Sequence, residues 1–277
     1  MIVWWPLNSF SAIVPAMTDK ITDQEPELAD FGFNKVPAAE KAGRVRAVFD
    51  QTAEKYDIMN DVLSAGLHRL WKAHLIARLP LHHDRRPIAM LDVAGGTGDI
   101  AFKALATKAG RHGCLNISLL DINEEMLAVG RDNAQRRGYD GQLEFIAGDA
   151  EKLPFNDASM DIYTISFGIR NVTHRAQALA EAHRVLKPGG IFACLEFSQL
   201  PNKLLQRAYD AYSFAVVPKL GQFISNNAAS YEYLVESIRM FPDADNFASE
   251  IRDAGFARVR YERLSAGITA AHFGWRA

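Results

Sequence analysis

Residues 88–98, IAMLDVAGGTG, join an apolar run of strand length to a glycine loop that opens onto a helical stretch, DIAFKALATKAG. This strand–loop–helix unit constrains the fold most, because a near-continuous apolar strand must be covered on both faces. The rhythm then repeats. ISLLDI reads as a second strand, and NEEMLAVGRDNAQRRG as a helix with an Asn cap and acids in its first turn. LEFIAGDA and DIYTISF follow as strands, HRAQALAEAHRVLKPGG as a helix with a Pro-Gly stop, and IFACLEF as a fifth strand. Strands alternating with helices of roughly 10 to 17 residues predict a doubly wound, parallel α/β sheet. Gly110 is expected to stop the helix that begins at Asp99. FARVRYERLS and GITAAHFGW close the chain as two more strands, an antiparallel hairpin at a sheet edge.

Around this core, residues 18–43 are polar and Pro-containing and read as a loose arm. Between Arg44 and Leu79 apolar residues recur at helical spacing: Val45, Val48, Phe49, then Leu63, Leu67, Leu70 and Leu75. Residues 201–241, rich in Tyr and Phe and without a strand run, read as a helical insertion. The organisation expected is a flexible arm over 1–43 followed by one domain over 44–277 that carries the insertion. The first 16 residues hold no charge and lack the basic start of a signal peptide, so they read as a start-site extension before Met17. Pro6, Asn8 and Ser9 interrupt them, and no later run reaches the length that spans a bilayer.

With 277 residues, 48% of them hydrophobic, the chain can bury a full core, and a net charge of −2 offers no basic field to nucleic acid. Cys114 and Cys194 stand alone in apolar surroundings, so neither a disulfide framework nor a metal site is expected. A soluble, cytoplasmic protein fits, with peripheral contact at an inner membrane left open.

Gly96, Gly98 and Ala101 satisfy a loose dinucleotide fingerprint, G-x-G-x-x-G/A. The surrounding charge argues against a pyrophosphate. Asp92 precedes the loop, Asp99 occupies the positive end of the next helix, Asp121 ends the second strand, and Asp149 follows the third. Together they favour a cation that also carries a ribose and an adenine, and S-adenosylmethionine matches. Asp121 would grip the ribose diol and Asp149 with Ala150 the adenine edge, while Gly95, Gly96 and Gly98 let backbone approach the methionyl part. An NAD(P) dehydrogenase is the rival enzyme, disfavoured by Asp99 and by the absence of a Tyr-x-x-x-Lys. A non-enzymatic cofactor-binding subunit is a second rival, and a methyltransferase acting on oxygen or nitrogen a third.

Three stretches, YDIMNDVLSAGLHRLWK (56–72), ISFGIRNV (165–172) and RVLKPGGIFACLEFS (184–198), resemble the ubiquinone/menaquinone biosynthesis C-methyltransferases, the UbiE/COQ5 family. The resemblance implies a class I methyltransferase fold, with the last strand antiparallel. It implies methyl transfer from S-adenosylmethionine to a ring carbon of a polyprenylated quinol, benzoquinol or naphthoquinol. It carries cofactor contacts over to Thr97, Asp121, Asp149, Ala150 and Ser166. Asp149 stands where many relatives have Asn, which keeps an acceptor and loses an amide donor. Partners implied are the quinol, with a membrane surface, a quinone-biosynthesis complex and a homodimer left open.

Carbon methylation needs a nucleophile made by removing a quinol hydroxyl proton. Arg170 and Asn171 follow the fourth strand, and Arg170 is expected to stabilise the phenolate or polarise a water, unless it pairs with a local acid. Asn171 would hold the other hydroxyl. Tyr56, Asp57, Asn60 and Asp61 lie on an arm able to close as a lid. Tyr56 and His68 are candidates for substrate or proton contacts. His174 reads as a base or as a helix-start residue. Leu205, Tyr209, Tyr212, Val216 and Phe223 would form a channel for the tail, a membrane patch, or ordinary helix packing.

Overall fold

The computed structural model describes residues 1, 26–50, 60–61, 64, 66–82, 86–215 and 228–277. Strands β3 (Ile88–Val93), β4 (Leu115–Asp121), β5 (Leu143–Ala147), β6 (Met160–Ser166), β7 (Leu186–Phe197), β8 (Ala257–Leu264) and β9 (Thr269–Trp275) form one sheet. Its order is β5-β4-β3-β6-β7-β9-β8. β3 pairs in parallel with both β4 and β6, whereas β9 runs antiparallel between β7 and β8. The doubly wound sheet and the C-terminal hairpin follow the sequence pattern. Consecutive residues feed opposite faces: Met90, Leu119, Ile162 and Ile191 enter one apolar cluster, and Leu91, Leu120, Tyr163 and Phe192 the other. That is why these strands read as continuous apolar runs.

Helices α1 (Ala38–Asp50), α2 (His68–Ala77), α3 (Asp99–Leu105), α4 (Lys108–Arg111), α5 (Glu124–Arg137), α6 (Arg175–Val185), α7 (Lys203–Ala215), α8 (Ala228–Met240) and α9 (Ala244–Asp253) surround it. Asn123 caps α5 by accepting the Met126 N–H at 3.0 Å, and Glu124 and Glu125 sit in its first turn as expected. The helix expected from Asp99 to Gly110 is broken. Thr107 turns extended and caps a separate α4. Gly110 lies inside that turn because a Cβ there would stand 2.2 Å from the Leu105 carbonyl oxygen. The Pro-Gly stop also shifts: α6 ends at Val185, and Lys187 to Gly190 already belong to β7, where Gly189 donates to the Arg276 carbonyl at 2.7 Å. Helix α9 adds to the expected pattern; Asp243 caps it, and Phe247 and Ile251 lie four apart on its buried face.

Part of the expected loose arm is ordered. β1 (Leu28–Phe31) and β2 (Asn34–Pro37) form a hairpin, and α1 begins at Ala38. Four-residue strands carry too little periodicity to signal themselves, and this hairpin is held from outside. Phe31 stacks on Tyr233 of α8 with ring centroids 4.3 Å apart, and the Phe33 N–H donates to Glu236 at 3.0 Å. Among the described residues no helix is long and apolar enough to cross a membrane.

Candidate functional site

A cleft of about 1050 Å³, its mouth included, opens at the carboxyl ends of β3, β4 and β6. This is where open α/β sheets place ligands. Its floor is the loop after β3, where Gly95 and Gly96 let the backbone pass close to its neighbours. A Cβ on Gly95 would stand 2.6 Å from Leu119 Cγ, and Gly96 has φ +49° with a Cβ position 2.9 Å from Met126 Cε. Two residues other than glycine share the left-handed region at the rim, Ala94 (φ 50°) and Phe167 (φ 57°). Strain of this kind persists where surrounding packing enforces it, often at functional sites.

The predicted cofactor contacts converge. Gly95, Gly96, Thr97, Asp121, Asp149, Ala150 and Ser166 all line the cleft. Gly98 does not line it; it turns the chain into α3 at φ +90°. Asp121 accepts the Gly96 and Asn123 N–H groups, each at 2.9 Å. Burial nevertheless pushes its carboxyl up to about 6, against those two donors. Asp92 is buried deeper: Thr164 donates to one oxygen at 2.7 Å, and burial raises the carboxyl to about 7. Its second oxygen, and the Ser166 hydroxyl, have no hydrogen-bond partner among the described residues. Buried polar atoms are nearly always paired, so two orphans in one cleft wall mark positions that a ligand would satisfy. Exposed Asp149 accepts the Glu151 N–H at 2.9 Å.

Asp99 corrects the charge argument in one respect. Its carboxylate lies 3.1 Å from the Lys72 ammonium and 3.7 Å from that of Lys103. Burial opposes its ionisation, yet the two lysines hold it below the ordinary carboxylate range. Asp92, Asp121 and Asp149 remain as the lining carboxylates outside an ion pair among the described residues, the first two with burial favouring the proton. Lys72 is a site residue that carries no sequence signal, since nothing in the helical spacing of HRLWK shows that it turns inward to α3.

The opposite wall comes from the segment after β6 and from α1. Asn171, Val172 and Thr173 line the cleft beside Val45, Arg46 and Phe49 of α1. Asn123 ties α1 to the end of β4 by donating to Asp50 at 2.8 Å. Lys41 is buried and donates to the Val172 carbonyl at 3.0 Å, and Glu151 accepts the Thr173 and His174 N–H groups at 2.8 and 3.0 Å. The Asn171 carbonyl oxygen accepts the Tyr233 hydroxyl at 3.1 Å.

Arg170 is not among the residues that line the cleft. Its guanidinium is sealed beneath, 2.9 Å from Glu196, with both side chains 1% exposed, and it also donates to the Phe167 carbonyl at 2.6 Å. Burial pushes the Glu196 carboxyl up, against the Arg170 charge. The structure thus shows the pairing with a local acid. Its side chain turns away from this cleft to meet Glu196 on β7.

The other candidates divide. His68 is buried, with its Nε2 2.8 Å from Asp61, and burial lowers its affinity for a proton. It does not line the cleft. His174 stands at the N-cap position of α6 and pairs with Glu151 at 2.6 Å, a hydrogen bond that raises its proton affinity. Tyr56, Asp57, Val216 and Phe223 lie outside the described residues. On α7, Leu205 is exposed, while Tyr209 and Tyr212 stack on each other with centroids 6.4 Å apart.

The likenesses to other proteins agree with this geometry. The ubiE/COQ5 methyltransferase family matches residues 37–276. The ubiquinone/menaquinone biosynthesis C-methyltransferase UbiE of Roseobacter denitrificans is 51% identical over 92% of this chain and 100% of its own. The human mitochondrial 2-methoxy-6-polyprenyl-1,4-benzoquinol methylase is 46% identical over 98% of this chain and 90% of its own. Among solved structures, a SAM-dependent methyltransferase from Thermotoga maritima superposes with a TM-score of 0.57, at 19% identity, over 83% of this chain and 99% of that one. At that identity the likeness establishes the fold.

Proposed function

The chain belongs to the ubiE/COQ5 methyltransferase family, and from that premise we propose that its cleft directs a methyl group onto a ring carbon of a polyprenylated quinol. It is an S-adenosylmethionine-dependent C-methyltransferase. When bound, that cofactor supplies an electrophilic methyl group on a sulfonium. The donor set of the cleft suits it: a glycine cradle and the carboxylates of Asp92, Asp121 and Asp149, which outnumber the two basic residues of the lining, Arg46 and Lys72, the latter already paired with Asp99. The observation that carries the reading is Asp92, a buried carboxylate with one oxygen unpartnered in the wall of that cleft.

In this reading Gly95, Gly96 and Thr97 hold the methionyl part, with Gly98 shaping the turn. Asp121 takes the ribose hydroxyls, Asp149 and Ala150 meet the adenine, and Ser166 supplies a further hydroxyl. Each oxygen of Asp121 accepts one backbone amide and keeps a second lone pair for a ribose hydroxyl. Val45 and Phe49 of α1 line the cleft and give it an apolar flank, which disfavours water beside the reacting groups. Asn171 meets the acceptor oxygen, where a donor stabilises negative charge as the ring carbon becomes nucleophilic. Arg170 serves from behind, holding the turn that carries Asn171 against β7. Leu204, Leu205 and Phe214 of α7, with Phe33 stacked on Phe214 at 6.1 Å, expose an apolar surface suited to an isoprenoid tail or to a bilayer holding such tails.

A transfer assay with labelled S-adenosylmethionine and two reduced, short-tailed acceptors tests the reading. One acceptor is a 2-methoxy-6-prenyl benzoquinol, the other a demethylmenaquinol. A methyl on ring carbon is expected, and the preferred ring assigns the pathway. A methyl on oxygen, or none on either acceptor despite cofactor binding, overturns it.

A further inference from the structure

A phenolate oxygen offers only lone pairs, so a neighbouring carboxamide helps it through the amino group and opposes it through the carbonyl. The two presentations of Asn171 differ by a half-turn of its terminal amide, and its packing must decide between them. Lys41 and Glu151 fix the backbone of the 171–174 segment through Val172, Thr173 and His174, but they leave that amide free to turn. Among the described residues, Tyr233 makes the one hydrogen bond to the Asn171 side chain, donating to its Oδ1 at 3.1 Å; the Arg170 charge acting on that hydroxyl disfavours the reverse arrangement, in which the amide N–H would point at the Tyr233 oxygen.

Resting on the reading of the cleft as an acceptor site, we infer that Tyr233 is a positioning residue: its hydroxyl pins the Asn171 carboxamide so that the amino group, not the carbonyl, faces the acceptor oxygen. Tyr233 is 6% exposed and its ring is clamped by Phe31, 4.3 Å away at an interplanar angle of 23°, so the hydroxyl is delivered from a fixed direction. Burial pushes that hydroxyl up to about 12, and it keeps its proton at any working pH. The N-terminal hairpin thus reaches the chemistry through one ring and one amide, which gives an otherwise peripheral element a part in turnover.

The test is a double-mutant cycle of Tyr233→Phe and Asn171→Ala on the full chain, reading kcat, both KM values, cofactor affinity and thermal midpoint. Tyr233→Phe keeps the ring and its stack. It should lower kcat about three- to ten-fold, the bias set by one hydrogen bond of ordinary strength, with acceptor KM and cofactor Kd within about two-fold. In the Asn171→Ala background the same change should alter kcat by less than about two-fold. Equal losses in both backgrounds, or a loss expressed in the KM values and the thermal midpoint with kcat unchanged, would overturn the positioning role. Absence of any C-methylated product from the unaltered protein would instead sink the acceptor reading on which it rests.

Discussion

The two walls of the cleft are built by different means. The cofactor wall consists of short sequence segments at strand ends, residues 92–97, Asp121 and 149–150, where Asp121 and Asp149 accept from backbone N–H groups. The Asn171 wall is assembled at long range: Lys41 reaches Val172 across 131 positions, Tyr233 reaches Asn171 across 62, and Arg170 reaches Glu196 across 26. Local walls are specified by motif, whereas distant ones depend on the helices that bracket the sheet. Substitutions in the first should therefore act on cofactor affinity, and in the second on stability and turnover.

The largest effect expected lies under the Asn171 wall. Arg170→Ala leaves Glu196 buried without its countercharge, a loss of about 3–5 kcal/mol in urea unfolding. Replacing both members together, Arg170→Met with Glu196→Leu, should recover most of it. A single variant as stable as the parent would show that the pair does not hold this wall. On the cofactor wall, Asp121→Ala should weaken S-adenosylmethionine about 100-fold by calorimetry, the scale of a strong charge-assisted hydrogen bond. Acceptor KM should change little, and an equal rise in both constants would erase the division between the walls.

Gly96→Ala comes next. It forces a side chain into the left-handed region at φ +49° and against Met126, at a cost of about 1–2 kcal/mol, seen as a lower thermal midpoint. The same thermal midpoint as the parent would remove the argument for a backbone-shaped cradle. The smallest effect on cofactor affinity is titration. Burial raises Asp92 to about 7 and Asp121 to about 6, so the folded protein holds these protons more tightly than the unfolded chain. Their contribution to stability therefore falls as pH rises from about 4 to about 7, and is level above that. A cationic cofactor favours the ionised forms, so its affinity should rise about ten-fold over the upper part of that window. Asp121→Asn should flatten the lower portion. Affinity independent of pH would mean that the cofactor wall does not act through charge.

Legibility followed the same division. The strand run of Ile88–Val93 and the Asn123 cap could be read directly, because each rests on chemistry within a few residues, and the cofactor carboxylates because each stands at or just after the end of a strand run. Arg170 could be named as important but not oriented, since its partner lies on another strand. The hairpin at 28–37, the inward turn of Lys72 and the clamp on Tyr233 left no pattern at all. Amino-acid order by itself determined the alternating elements, the covered sheet and the negative cleft, because apolar periodicity, capping and strand-end position act locally. Tertiary structure alone decided which cations neutralise which acids and which hydroxyl turns the Asn171 amide. Those choices depend on distances between segments far apart in the chain, and burial multiplies the energy of each one.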